Sequence, residues 1–245
     1  MRLIQLRKGR FLLYTHMAQW LRTEKEYIKK LYQAAEKWVD HQTTYHVIAM
    51  YAHDIDALRA FFMYGFGVRC VDAVRSTGNL DCVPQDNLIL KELPKEEIAQ
   101  VRGMRKMLSD HLRHSPCFMP SSDQDFHKWL ARAERRNSII YVAERNQVPA
   151  AFIEITDDGE NFVTETESMK NICGAFCLPQ YRGTGVFWNL LNYSLTQLRR
   201  QGIRNLGVDF ENSNPTASGA WNKYFTPYTY SVVRRIDECA LKNYS

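Results

Sequence analysis

Apolar residues recur along this chain with two periods, one near 3.6 and one near 2, and their alternation predicts the elements. Between residues 16 and 40, Trp20, Tyr27, Ile28, Leu31, Ala34, Ala35 and Trp38 keep helical spacing. Residues 45–51 (YHVIAMY) are a short apolar run that reads as a buried strand. Asp54 then offers an N-cap for a helix with Ile55, Leu58, Phe61, Phe62 and Met63 on one side. Gly65-Phe66-Gly67 ends that helix, and residues 68–74 read as the next strand. Residues 76–87 (STGNLDCVPQDN) are polar and turn-rich. They bury no continuous face, so residues 79–87 are expected to link two domains, at 1–78 and 88–240.

A longer series follows. Residues 88–93 form a short strand, 95–113 a helix closed by Pro116 and Pro120, and Asp123 caps a helix over 124–136. Strands at 139–144 and 150–155 flank Asn146-Gln147, a hairpin turn. A polar connection spans 156–168, with a strand at 172–178 and a helix from Gly185 to about Gln201. A strand at 205–210, a short helix opened by Pro215 and a final strand at 228–236 complete the chain. The order is β–α–α–β–β–β–α–β–α–β. Its closing strand–helix–strand repeats the unit at 45–75: each helix stops in aromatics (FFMYGFG, WNKYFTP), and each following strand carries basic residues (CVDAVRS, SVVRRID).

Composition narrows the function classes. The net charge is only +5 over 245 residues and the basic residues are scattered, which argues against a nucleic-acid stripe. No run of 18 apolar residues occurs, so no membrane span is expected, and the basic N-terminus lacks the apolar core of a signal peptide. Six cysteines without a C-x-x-C pair fit reduced thiols in a cytoplasmic protein. His111-x-x-His114-x-x-Cys117 has metal-like spacing without a fourth ligand, so no metal is assigned.

The informative segment is GAFCLPQYRGTG, residues 174–185. A strand runs into Leu178-Pro179, a loop Gln180-Tyr181-Arg182-Gly183-Thr184-Gly185 follows, and then a helix opens. The first amides of a helix lack internal acceptors and sit at the positive end of its dipole. Two glycines let a ligand approach the backbone, and Arg182 adds a forked charge suited to phosphate. The third glycine of a dinucleotide fingerprint is missing, since Gly185 is followed by Val186-Phe187-Trp188; no Walker Gly-Lys-Ser/Thr occurs.

What remains, Q-x-x-G-x-G between strand and helix, resembles motif A of the GNAT acyltransferases. The later LGVDFE strand, Asn212-Ser213-Asn214-Pro215 and Ala217 are similar to that family as well, and the resemblance covers residues 87–237. It implies an α/β (α+β) GNAT fold: a mixed, mostly antiparallel sheet with splayed central strands, beside a partial, degenerate N-terminal copy. It also implies acetyl-CoA as cosubstrate and an amine-bearing acceptor. Separately, the exposed last strand of the first copy is expected to pair with the second copy or with another chain, as in a homodimer. The diphosphate would lie on Gln180, Tyr181, Arg182, Gly183, Thr184, Gly185 and Val186. The pantetheine arm would pair with the main chain of Phe176, Cys177 and Leu178 and reach Asn214, near Ala217. A backbone N–H there would polarise the thioester carbonyl.

The family's Tyr acid falls here on Trp221, whose indole cannot protonate a thiolate. Tyr224, one turn on, is the substitute candidate. Asp209 is the named candidate for accepting the amine proton; Glu154 and Glu211 are alternatives, and each of the three also reads as a structural acid. Glu165 and Glu167 read as solvated loop residues, and His111, His114 or Phe118 would face the acceptor. Cys173 and Cys177 share a strand face and read as cleft lining. The other reading, from a different class, is a non-catalytic CoA-binding or interaction module.

Overall fold

The computed structural model describes residues 5–6, 9–13, 32–33, 45–114, 116–119, 125–159 and 166–236. The strands are β1 (Gln5–Leu6), β2 (Gly9–Leu13), β3 (Tyr45–Tyr51), β4 (Gly67–Ser76), β5 (Leu88–Glu92), β6 (Ile139–Arg145), β7 (Val148–Thr156), β8 (Met169–Cys177), β9 (Asn205–Glu211) and β10 (Thr226–Arg235). The α-helices are α1 (Ile55–Met63), α2 (Arg102–Arg113), α3 (Asp125–Arg135), α4 (Val186–Arg200) and α5 (Pro215–Trp221). From β5 onward the element order is the one the sequence predicts. Apart from Tyr32 and Gln33, the helix expected over 16–40 lies outside the described residues, as do the Asp123 cap and Glu165.

The chain divides into two compact units. One comprises Met1–Ala73, Phe210–Asn212 and Pro227–Ser245; the other comprises Val74–Asp209 and Ser213–Thr226. The sequence places the final strand with the C-terminal domain, whereas nearly all of β10 groups with the first unit. The reason is pairing: β10 runs antiparallel to β3 from Thr229↔Tyr51 to Arg235↔Tyr45.

In the first unit the strands lie in the order β1-β2-β3-β10-β4. β4, expected to pair either with the second copy or with another chain, lies beside β10, the last strand of the chain. Asp54 caps α1 as expected, its carboxylate accepting from Ala57 N–H at 3.1 Å. The buried side of α1 is Ala57, Leu58, Ala60 and Phe61, which pack with Ile48, Met50, Phe66 and Val232. Ile55, Phe62 and Met63 are exposed, contrary to the single apolar face expected. At about 100° per residue, the stripe centred on Leu58 and Phe61 leaves positions 62 and 63 facing solvent.

In the second unit the order is β9-β8-β7-β6-β5. Neighbours from β5 to β8 are antiparallel. β8 and β9, joined through α4, are parallel. Asn146 and Gln147 both have positive φ, 52° and 63°, the conformation that turns a two-residue hairpin with the natural twist of its strands. The predicted helix over 95–113 starts as a 3-10 segment, Lys95–Val101, before α2. Trp129, Ile140, Val142, Phe152 and Phe176 form the centre of one core cluster. α4 contributes Leu190, Leu191, Leu195 and Leu198, all fully buried. The segment expected to link the domains is fastened to α4: Leu80 is buried, and its N–H donates to Asn192 Oδ1 at 2.8 Å.

Candidate functional site

The site begins where two parallel strands part. β8 and β9 pair from Met169↔Asn205 to Ile172↔Val208 and no further, although β8 continues to Cys177. The other edge of β8 stays bonded to β7 as far as Ala151↔Cys177. In an antiparallel ladder, facing residues alternate between bonded pairs and pairs whose main chain points away. Leu178 N–H donates to Ala150 O at 2.9 Å, so Leu178 and Phe176 face β7. Ala175 and Cys177 therefore present their N–H and C=O to the open side. The sequence expects Phe176, Cys177 and Leu178 there. Register leaves Cys177 of that set and adds Ala175, a residue that carries no chemical signal of its own.

Past the strand, Pro179–Tyr181 makes one 3-10 turn, and Gly183 and Gly185 take positive φ of 76° and 89° before α4. Only glycine adopts these angles freely, so the two glycines set the path of the loop. Arg182 N–H and Thr184 N–H bond back to Pro179 O and Tyr181 O. The amides of Gly183, Gly185, Val186, Phe187 and Trp188 have no acceptor among the described residues. The last four open the N-terminus of α4, where the helix dipole favours an anion. Gln180, Arg182, Gly183 and Thr184 are exposed. Tyr181 is half-buried, and the Val186 side chain is fully buried, leaving only its N–H for a ligand.

Arg182, though exposed, folds back onto β8. Its Nε donates to Cys177 O at 3.1 Å, and its guanidinium lies 5.3 Å from the Phe176 ring centre. The residue expected to grip phosphate thus covers one of the main-chain acceptors expected for the pantetheine arm. The Cys177 thiol is pushed up to about 11, because burial disfavours the thiolate more than the Arg182 charge supports it. Cys173 is raised further, first by burial and then by the Glu154 carboxylate. In both, burial disfavours the thiolate, the reactive form.

The acidic candidates separate. Glu154 is buried and accepts from Trp129 Nε1 at 2.6 Å and Ser138 Oγ at 3.1 Å, so both oxygens are committed. Glu211 pairs with Arg69 at 3.4 Å within the first unit. Glu167 is exposed. Asp209 is half-buried, one residue past the last β8–β9 pair, and its charge acts on Cys173.

Asn214 is buried and caps α5, its Oδ1 accepting from Ala217 N–H at 3.2 Å. The same oxygen lies 3.3 Å from His111 Nε2 on α2. Ala217 N–H is thereby spent on the cap. His114 turns instead to Asp110 O at 2.6 Å, so the two imidazoles serve separate partners. No group of three or more His, Cys, Asp or Glu that would hold a metal occurs among the described residues. Trp221 is buried between Phe187 and Phe225, with ring centres 5.6 and 5.3 Å away. Tyr224 is half-buried, with its ring 4.5 Å from that of Trp188 in the first turn of α4.

The family comparison falls on these same elements. Residues 104–225 match the acetyltransferase (GNAT) family model. That segment is a GNAT acetyltransferase-family domain. It holds α2, the separating strands, the glycine loop and α5. No curated protein matches the chain. Among solved structures, a GCN5-related N-acetyltransferase from Sphaerobacter thermophilus aligns over 95% of this chain and 75% of its own, with TM-score 0.61 and 12% identity. A GCN5-related N-acetyltransferase from Kribbella flavida aligns over 92% and 79%, with TM-score 0.54 and 10% identity. A conserved protein of unknown function from Staphylococcus epidermidis aligns over 94% and 84%, with TM-score 0.51 and 13% identity. At such identities the likeness is one of fold, and that fold is the mixed α/β GNAT arrangement. Among the described residues, no helix is long and apolar enough to cross a membrane.

Proposed function

We propose that the protein transfers an acetyl group from acetyl-CoA to an amine by direct attack in a ternary complex. The observation that carries this reading is the end of β8–β9 pairing at Ile172↔Val208, beside a loop and helix start where the amides of Gly183 and of Gly185 through Trp188 have no acceptor among the described residues. The amides of Gly183 and of Gly185 through Trp188 hold the diphosphate, and Arg182 swings from Cys177 O to join them. The main chain of Ala175 and Cys177 pairs with the pantetheine arm, and Asn214 reaches it from the side. A main-chain N–H on that edge donates to the carbonyl oxygen as negative charge builds there. The attacking nitrogen bonds to the acetyl carbon and gives its proton to Asp209, directly or through water. The carbon–sulfur bond breaks, and the departing sulfur takes a proton from Tyr224 or from water. A thiol pKa near roughly 8.5 makes that last donation a modest requirement.

The N-terminal strand–helix–strand β3-α1-β4 is read as a degenerate copy of β9-α5-β10. It has no glycine loop, so no cosubstrate is assigned to it. A non-catalytic CoA-binding module is the second reading. It is favoured by Trp221, which is packed between two rings at the place where the family's acid would stand.

Thermal denaturation with and without acetyl-CoA, then free-thiol release with amines, polyamines, amino acids and aminoglycosides, separates the readings. Stabilisation with turnover is expected. Stabilisation without turnover on any acceptor supports the binding module, and no stabilisation overturns both.

A further inference from the structure

The segment ahead of β5, residues 80–85, carries a contact that the proposed chemistry leaves unused. Gln85 Nε2 donates to Thr184 O, and Gln85 Oε1 accepts from Arg145 Nη2 at the end of β6. Two residues earlier, Val83 O accepts from Asn189 Nδ2 at 3.0 Å, and the same Nδ2 donates to Gly185 O at 3.0 Å. With Leu80 N–H on Asn192, the segment is fastened along α4 from its middle to the glycine loop.

The chemistry fixes the direction of this relay. A guanidinium only donates and a carbonyl only accepts, so the Gln85 amide has one orientation between Arg145 and Thr184. The peptide joining Thr184 to Gly185 is planar, and in a trans peptide the carbonyl and the following N–H point in opposite directions. Holding Thr184 O toward Gln85 therefore aims Gly185 N–H the other way. That N–H has no acceptor among the described residues. Gly185 also leaves room for the contact: a Cβ at Gly185 would lie 2.8 Å from Gln85 Nε2. Arg145 Nε is buried with no hydrogen-bond partner among the described residues, and Arg145 Nη2 has Gln85 as its acceptor.

We propose that Gln85 is a positioning residue for anion binding: anchored by Arg145, it pins the Thr184 carbonyl so that the Gly185 amide faces the diphosphate of the cosubstrate. The inference rests on the acetyl-CoA reading and adds to it a residue from outside the loop. Without the pin, rotation of the Thr184–Gly185 peptide turns a carbonyl toward the phosphate in place of a donor.

The test is calorimetric titration of wild type and Gln85→Leu with CoA and, separately, with ADP, which carries the diphosphate and lacks the pantetheine arm. Leucine keeps the bulk and removes both hydrogen bonds. The expected result is that affinity for both ligands falls by the same factor, roughly tenfold for one misdirected donor to a charged group. A loss confined to CoA, or unchanged affinity for both with only a lowered melting temperature, overturns the proposal and leaves Gln85 as a fastening of the segment. Wild type that binds neither ligand overturns the acetyl-CoA reading, and the proposal with it. Should Gln85→Leu fail to fold, Arg145→Gln breaks the other end of the relay under the same criteria.

Discussion

Arg182 has two sets of partners, and replacing it with glutamine measures the difference between them. In the structure it donates to Cys177 O at 3.1 Å and lies over the Phe176 ring at 5.3 Å. The side chain is exposed, so the hydrogen bond is worth about 0.5–1.5 kcal/mol and the ring contact about 0.5–1 kcal/mol. A charge-assisted bond to a diphosphate is worth about 1.5–3 kcal/mol. Binding exchanges the first set for the second, so the net gain is about 1 kcal/mol. Arg182→Gln should therefore raise the Kd for CoA only about fivefold, by titration calorimetry at low salt. Added salt should shrink the gap, because the lost interaction is the screened one. A loss beyond about a hundredfold would show that Arg182 gives up nothing on binding. An unchanged Kd would show that it stays on β8 in the complex.

Three further outcomes follow from buried groups. The Cys177 thiol, pushed up to about 11, should resist iodoacetamide at pH 7.5, react faster as pH approaches that value, and be shielded by CoA, as read by mass spectrometry; rapid alkylation at pH 7.5 contradicts its burial. His46 is buried beside Tyr32, whose hydroxyl is 2.9 Å from Nδ1, and its pKa is lowered by burial first and by the Arg234 charge second. Below about pH 6.5 the unfolded chain takes up a proton that the folded chain resists, so stability present above that pH should fall as pH drops. Denaturant midpoints at pH 7.5 and 5.5 should converge in His46→Asn, and an unaltered slope would remove His46 as the cause. Glu154→Ala leaves the Trp129 and Ser138 donors without their acceptor and should cost about 2–5 kcal/mol in urea unfolding; a loss under about 1 kcal/mol would return Glu154 to the candidates for proton acceptor.

Much of the fold was legible because it is local. The Asp54 cap, the Asn146-Gln147 turn, Pro215 opening α5 and the strand–loop–helix around Gly183 and Gly185 each depend on neighbouring residues, and each stands where the pattern puts it. The apolar side of α1 was legible only in part. Periodicity locates a stripe, but its width is set by what packs against it, and Phe62 and Met63 fell outside. Arg182 was legible as a cation near the loop, but its resting contact with Cys177 O was not, since it depends on where β8 ends relative to the turn.

By itself, the sequence determined the order of elements from β5 onward, the place of the two loop glycines and the placement of a helix N-terminus after a buried strand. These follow from backbone sterics and from the spacing of apolar residues within about 20 positions. Tertiary structure alone decided where β8 and β9 part and which main-chain groups of β8 face the opening. It also brought Gln85 and Arg145 to the peptide between Thr184 and Gly185. Register and side-chain contact between distant segments depend on how whole elements pack, and no local pattern in a single chain encodes that. A glutamine in a polar run and an arginine at a strand end acquire meaning only once folding sets them against the loop.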